Sequence, residues 1–256
     1  MSIALLINLC SKNQDWETLE DIDLFRDFLD SFLMTISGKY PYSFYLGYDD
    51  NDAFFIKHLD KLKKRMPLNK TKIIALPAKE TNGNPCKGWN ILYKHAYNDG
   101  FDYFYQVGSD IKHEVRGWDH YFISIMKNNN NDAIVGGVDM PYWQERIVRN
   151  QSAILENVFT GRKHYERFGW FFPPEVKNWY SDDMITKIYR NAQRVFVCPN
   201  IKYSNANRVG GHNEASRYVP PENTPIAENW HKIANKYSSA GFDLPIHILN
   251  NLDKYD

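Results

Sequence analysis

Three apolar runs in the 256-residue chain end in carboxylate or amide side chains that could hold a polar ligand. Ile3-Ala4-Leu5-Leu6-Ile7 leads into Asn8 to Ser11, the run from Tyr42 to Gly47 leads into Asp49-Asp50, and Tyr103 to Val107 leads into Gly108-Ser109-Asp110. Carboxylates are the natural ligands of hard divalent cations. A carboxylate can also take the proton of an attacking hydroxyl when it lies within about 2.6–3.2 Å of it. A further acidic pair, Asp182-Asp183, follows Ser181 at the start of a helical stretch. Consecutive helical residues diverge by about 100°, so only one of the pair can face a given site. The same residues have plain structural uses: Asp52 reads as the cap of a following helix, and Ser181 with two acids in the first turn does too. No GxGxxG follows the first run and no Walker loop occurs, which argues against dinucleotide binding and a Gly-rich phosphate cradle. A bound diphosphate would then need a metal ion or basic side chains.

These residues need elements to position them. Strand-length apolar runs alternate with helical periods, the pattern of a mostly parallel sheet covered by helices. Strands are expected at Ile3–Cys10, Tyr42–Gly47, Lys72–Leu76, Asp102–Val107, Ala133–Val138 and Val195–Cys198. Helices are expected at Leu19–Ile36 (Leu24, Phe28, Phe32 and Leu33 on one face), Ala53–Met66, Lys87–Tyr97, Trp118–Lys127 and Asp182–Gln193. Tyr142–Trp179 is aromatic and Pro-rich with weak periodicity, Asn200–Pro221 reads as a long polar loop, and a helix and tail follow from Ile226. In open α/β sheets ligands gather beyond the carboxyl ends of the strands, which is where the acidic residues fall.

Composition narrows the class. Lys+Arg and Asp+Glu are both 31, so no bulk charge draws the chain to nucleic acid. Cys10, Cys86 and Cys198 form no CxxC and fit reduced thiols better than a disulfide framework. No apolar run approaches the roughly 18 residues of a membrane span, and the first run lacks a basic flank and cleavage site. A cytoplasmic location without a transmembrane segment is the expectation. Aromatics at 15% suit either a thick core or surfaces that stack on sugar rings.

The order Gly47-Tyr48-Asp49-Asp50, then Lys87-Gly88-Trp89-Asn90, then Tyr103-Phe104-Tyr105-Gln106-Val107-Gly108-Ser109-Asp110 resembles the nucleotide-sugar half of GT-A glycosyltransferases. Phe168-Gly169-Trp170-Phe171-Phe172-Pro173-Pro174 and Asn178-Trp179-Tyr180-Ser181-Asp182-Asp183 look like that family's acceptor loop and acidic pair. The likeness extends over roughly residues 3 to 220. It implies a single GT-A-like α/β domain with a mixed, mostly parallel sheet flanked by helices: a nucleotide-sugar half at 1–111, an acceptor half at 112–225 and a C-terminal helix and tail at 226–256. It further implies a nucleotide-sugar donor, with UDP the default carrier and GDP open, and a carbohydrate or glycoconjugate acceptor. Asn8, Asp49, Asp50, Lys87, Asn90, Ser109 and Asp110 would contact the donor. Trp170, Trp179 and Tyr180 would contact the acceptor, and Asp183, with Asp182 beside it, would be the base of an inverting transfer. The metal-binding DxD motif reads Gly108-Ser109-Asp110 here, so its first acid is missing. Mn²⁺ or Mg²⁺ would then rest on Asp110 with a histidine from a late loop, His212, and His113 is the rival. Arg217 is expected to pair with a surface acid rather than phosphate. Two other readings compete: a non-catalytic sugar- or nucleotide-binding protein on this fold, and a sugar nucleotidyltransferase, whose Gly-rich basic loop Cys10-Ser11-Lys12-Asn13-Gln14 does not match.

Overall fold

A computed structural model describes residues 1–67, 69–148, 153–205 and 225–238. Strands β1 (Ile3–Leu9), β2 (Tyr42–Asp49), β3 (Thr71–Leu76), β4 (Tyr103–Gln106), β5 (Ile111–His113), β6 (Ile134–Asp139), β7 (Val158–Gly161) and β8 (Val195–Asn205) form one sheet. Its order is β3-β2-β1-β4-β7-β6-β8-β5. The pairs β1–β2, β1–β4, β2–β3 and β6–β8 are parallel, while β7 and β5 run antiparallel to their neighbours. The helices are α1 (Leu29–Thr35), entered through a π-helical turn at Leu24–Phe28, α2 (Ala53–Arg65), α3 (Ala78–Thr81), α4 (Pro85–Asn98), α5 (Trp118–Asn128), α6 (Met140–Val148), α7 (Arg162–Phe168), α8 (Ser181–Asn191) and α9 (Pro225–Ser238).

β1 lies inside the sheet with helices on both faces, so all of Ile3–Ile7 is buried and the strand reads as one apolar run. Alternation then sorts the side chains. Ile3, Leu5 and Ile7 join Phe28, Phe32, Tyr105 and Trp118 on one face, while Ala4 and Leu6 join Tyr93, Phe104 and Met184 on the other. α2 starts at Asp52, whose carboxylate accepts from the amides of Phe54 and Phe55, and ends on Lys63-Lys64-Arg65, where the helix dipole favours positive charge. α4 starts with Asn84 capping the Lys87 amide and Pro85 in the first turn.

The structure corrects four expectations. The first helical segment is Leu24–Thr35, and Leu33 is 42% exposed because it stands one 100° step past Phe32, off the stripe formed by Leu24, Phe28 and Phe32. The weakly periodic stretch Tyr142–Trp179 holds most of α6 together with β7 and α7. β8 continues through Pro199 to Asn205, where Ile201 and Tyr203 point inward between exposed Asn200 and Lys202. β5, three residues long, carries His113 into the core. The helix expected from Ile226 is present as α9. Among the described residues no helix is long and apolar enough to cross a membrane.

Candidate functional site

Beyond the ends of β1 and β2 lies a cleft of about 260 Å³ bordered by Asn8, Ser11, Lys12, Asp49, Thr81 and Gly88. Asp49 accepts a 2.5 Å hydrogen bond from the Thr81 hydroxyl. Burial holds its carboxyl above the usual range; Asp52 and Asp50 push the same way, against the Thr81 bond and Lys12. Asp52 ties the first loop to α2 by accepting from the Ser11 amide (3.0 Å) and hydroxyl (2.7 Å). Asn8 donates from Nδ2 to the Pro85 carbonyl at 2.8 Å. Its Oδ1 is buried with no hydrogen-bond partner among the described residues. Gly88 is what allows Asn8 to stand there: a Cβ at 88 would lie 2.7 Å from Oδ1. Pockets for whole drug-sized ligands measure about 300–1,000 Å³, so this cleft would take part of a longer ligand.

Several residues expected at the donor lie elsewhere. Gly88 faces Asn8, so Lys87, one residue earlier on α4, points away and pairs with Glu80 at 3.0 Å. Lys87 instead lines a wider cleft of about 820 Å³ with Lys94, His95 and Trp170. Asn90 is a structural pin. Its Oδ1 accepts from the Phe171 and Phe172 amides (both 2.8 Å), and its Nδ2 donates to the Phe172 carbonyl (2.9 Å). Asp50 accepts from the Ala78 amide at 3.0 Å and so starts α3.

The Gly108-Ser109-Asp110 turn continues β4 beside β1. The Gly108 amide donates to Asn157 Oδ1 at 3.1 Å, and Ser109 is buried. The Asp110 carboxylate folds back over Gly108, where any Cβ would collide with Asp110 Oδ1. His113 is buried, stacked on Trp118 (5.1 Å, 11°) and ringed by Phe28, Phe32 and Tyr105. Burial among these rings holds its imidazole down to about 3 and makes it a core residue. His212 and Arg217 lie outside the described residues. Among the described residues no three His, Cys, Asp or Glu side chains converge to hold a metal. Asp110 alone is a poor fit for Mn²⁺ or Mg²⁺, which take several oxygen ligands.

Asn157 is followed back along the chain by Glu156, and Glu156 leads to the acidic pair. Asp182 stands at the start of α8, with Oδ1 accepting from the Asp183 amide at 3.0 Å. Burial first, then repulsion from Asp183 and Glu156, pushes its carboxyl up to about 7. A carboxyl raised in this way suits proton exchange near neutrality. Ahead of it Tyr180 sits in the left-handed region (φ 67°, ψ 10°). Tyr180 stacks on Trp230 of α9 (6.2 Å, 10°) and Trp170 stacks on Phe168 (4.6 Å, 17°), so both rings are engaged in packing, while Trp179 is 40% exposed.

The structure thus brings Asn8 and Asp49 to one cleft, and it links Gly108 through Asn157 and Glu156 to Asp182. Lys12, Thr81, Glu156 and Asn157 went unread. Glu156 and Asn157 fall where the sequence shows no period, and Thr81 reaches Asp49 only through a four-residue helix.

No family model matches the sequence, and no curated protein does. Solved structures do match in fold. S. aureus TarS 1–349 in complex with UDP-GlcNAc aligns over 95% of this chain and 68% of that chain, with a TM-score of 0.59 at 14% identity. TarS 1–349 in complex with UDP aligns over 79% of this chain and 59% of that chain, with a TM-score of 0.51 at 14% identity. The chain spans only 36% of a longer TarS chain, again with a TM-score of 0.51. The fold is GT-A-like. At such identity the likeness carries the fold and not the activity.

Proposed function

We propose that the chain is a glycosyltransferase that takes its sugar from a nucleoside-diphosphate donor, UDP being the favoured carrier. The cleft beyond β1 and β2 carries this reading: it offers a buried acceptor at Asn8 Oδ1 and a half-buried carboxylate at Asp49, on a fold shared with a protein crystallised with UDP and UDP-GlcNAc. The nucleoside would enter between Asn8 and Asp49, and the diphosphate would extend past Lys12 toward the Gly108–Asp110 turn. Asp182 would take the proton of an acceptor hydroxyl as the sugar leaves the diphosphate, with inversion at the anomeric carbon. Trp179 offers the exposed ring for an acceptor sugar. A divalent cation, when bound, would neutralise charge on the leaving diphosphate. The described residues supply only Asp110 toward it, and no step here depends on it.

The test is release of UDP from UDP-GlcNAc and other donors, with an acceptor panel and with or without Mn²⁺. Turnover that falls by about 10²–10⁴ in Asp182→Asn, with the fold intact, supports the enzyme. UDP binding without turnover for any donor would favour the non-catalytic alternative. Pyrophosphate release from a nucleoside triphosphate would favour a nucleotidyltransferase.

A further inference from the structure

The turn that aims the acidic pair is held by an element remote in sequence. Tyr180 precedes α8 in a left-handed conformation that residues with a Cβ adopt at a cost, and no side chain caps the helix there. What meets Tyr180 is Trp230, whose ring lies parallel to it at 6.2 Å and 10°. Lys187, one helical turn beyond the acids, places its ammonium 6.0 Å from the same ring. α9 is itself anchored at both ends of this region. Asn191, closing α8, donates to Asn235 (3.0 Å) and Ser238 (2.9 Å). Tyr237 donates to Glu175 (2.9 Å) and sets its ring against Trp170 (4.9 Å, 76°). Ala234 is fully buried in the contact. Asp182 and Asp183 follow Tyr180 by two and three residues, so rotation of that turn would re-aim both carboxylates.

We propose that α9 is a clamp on the catalytic end of α8, and that Trp230 is a positioning residue which sets the aim of Asp182 and Asp183 through its stack on Tyr180. The inference deepens the transferase reading and rests on it for its kinetic consequence. A misaimed base affects the chemical step, and no residue bordering the nucleotide cleft belongs to α8 or α9.

The test compares wild type with Trp230→Leu, which keeps an apolar side chain but loses the flat stack, and Trp230→Phe, which keeps a ring. Trp230→Leu is expected to lower kcat about tenfold or more while donor KM and UDP affinity stay within about twofold, and Trp230→Phe should recover most of the loss. A second readout needs no turnover: the Asp182 carboxyl titration, followed by NMR, should move in Trp230→Leu and return in Trp230→Phe. That carboxyl is faced by Asp183, Glu156 and, from α4, Cys86. Full kcat in Trp230→Leu, or equal losses of kcat and UDP affinity, would overturn the clamp. If the wild type proves inactive, the enzyme reading fails by itself. The titration then still decides, and an unmoved Asp182 overturns the proposal.

Discussion

Asp182 is the side chain whose environment says most about chemistry. A carboxyl raised to about 7 by burial, and by the neighbouring Asp183 and Glu156, is protonated in the folded chain where the unfolded chain has already ionised. Its contribution to stability is therefore fully present below about pH 4 and is lost as the pH rises through about 7. Asp182→Asn should then raise stability at pH 8 by something on the order of 2 kcal/mol, a full shift being discounted for partial exposure, with no gain at pH 4. Thermal unfolding at the two pH values checks this. Catalysis runs the opposite way, since a base must be ionised: turnover should climb as the pH passes about 7. Removing one repelling charge in Asp183→Asn should move that rise to lower pH, read from a kcat profile. A rise left in place would assign the base elsewhere.

At the scale of elements, α4 divides two duties by the 100° step between residues. Gly88 gives Asn8 its place, Lys87 points to the opposite side, and Asn90 ties down the loop that carries Trp170. Asn90→Ala would leave the buried Phe171 and Phe172 amides without their acceptor, at a cost of about 2–3 kcal/mol. It should also weaken acceptor use more than UDP binding, as denaturant melts and separate KM values for donor and acceptor would show. This division explains what the sequence could and could not tell. β1, β2, β4 and the long helices were legible because inner strands read as apolar runs and covering helices keep a 3.6 period. The side of α4 that Lys87 takes depends on a close contact between Gly88 and Asn8, 80 residues apart, and leaves no local trace. β5 and β7 are too short for a period, and Pro199 hid the second half of β8. The strand-end position of Asp49 and Asp110 was readable. The link from Gly108 through Asn157 and Glu156 to Asp182 required the antiparallel β7 to be known first.

Across the whole molecule, the Asn8–Asp49 cleft lies beyond β1 and β2 of the eight-stranded sheet, and the acidic pair stands at the start of α8. The proposed transfer requires those two parts to stay in fixed relation. One buried ion cluster helps to hold the second part: Asp132, before β6, accepts two 2.6 Å bonds from Arg167 of α7 and a further bond from Arg194 at the start of β8. Replacing one member leaves the buried charge of the others uncompensated, so Asp132→Asn should cost about 3–5 kcal/mol in a chemical melt. Donor binding, as proposed, belongs to the first part. Calorimetric titration with UDP tests it most directly in wild type, Gly88→Val and Asp182→Asn. Wild type and Asp182→Asn are expected to bind UDP within about twofold of each other, and Gly88→Val, by displacing Asn8, at least tenfold more weakly, about 1.4 kcal/mol. No UDP binding by the wild type, or undiminished binding by Gly88→Val, would contradict it.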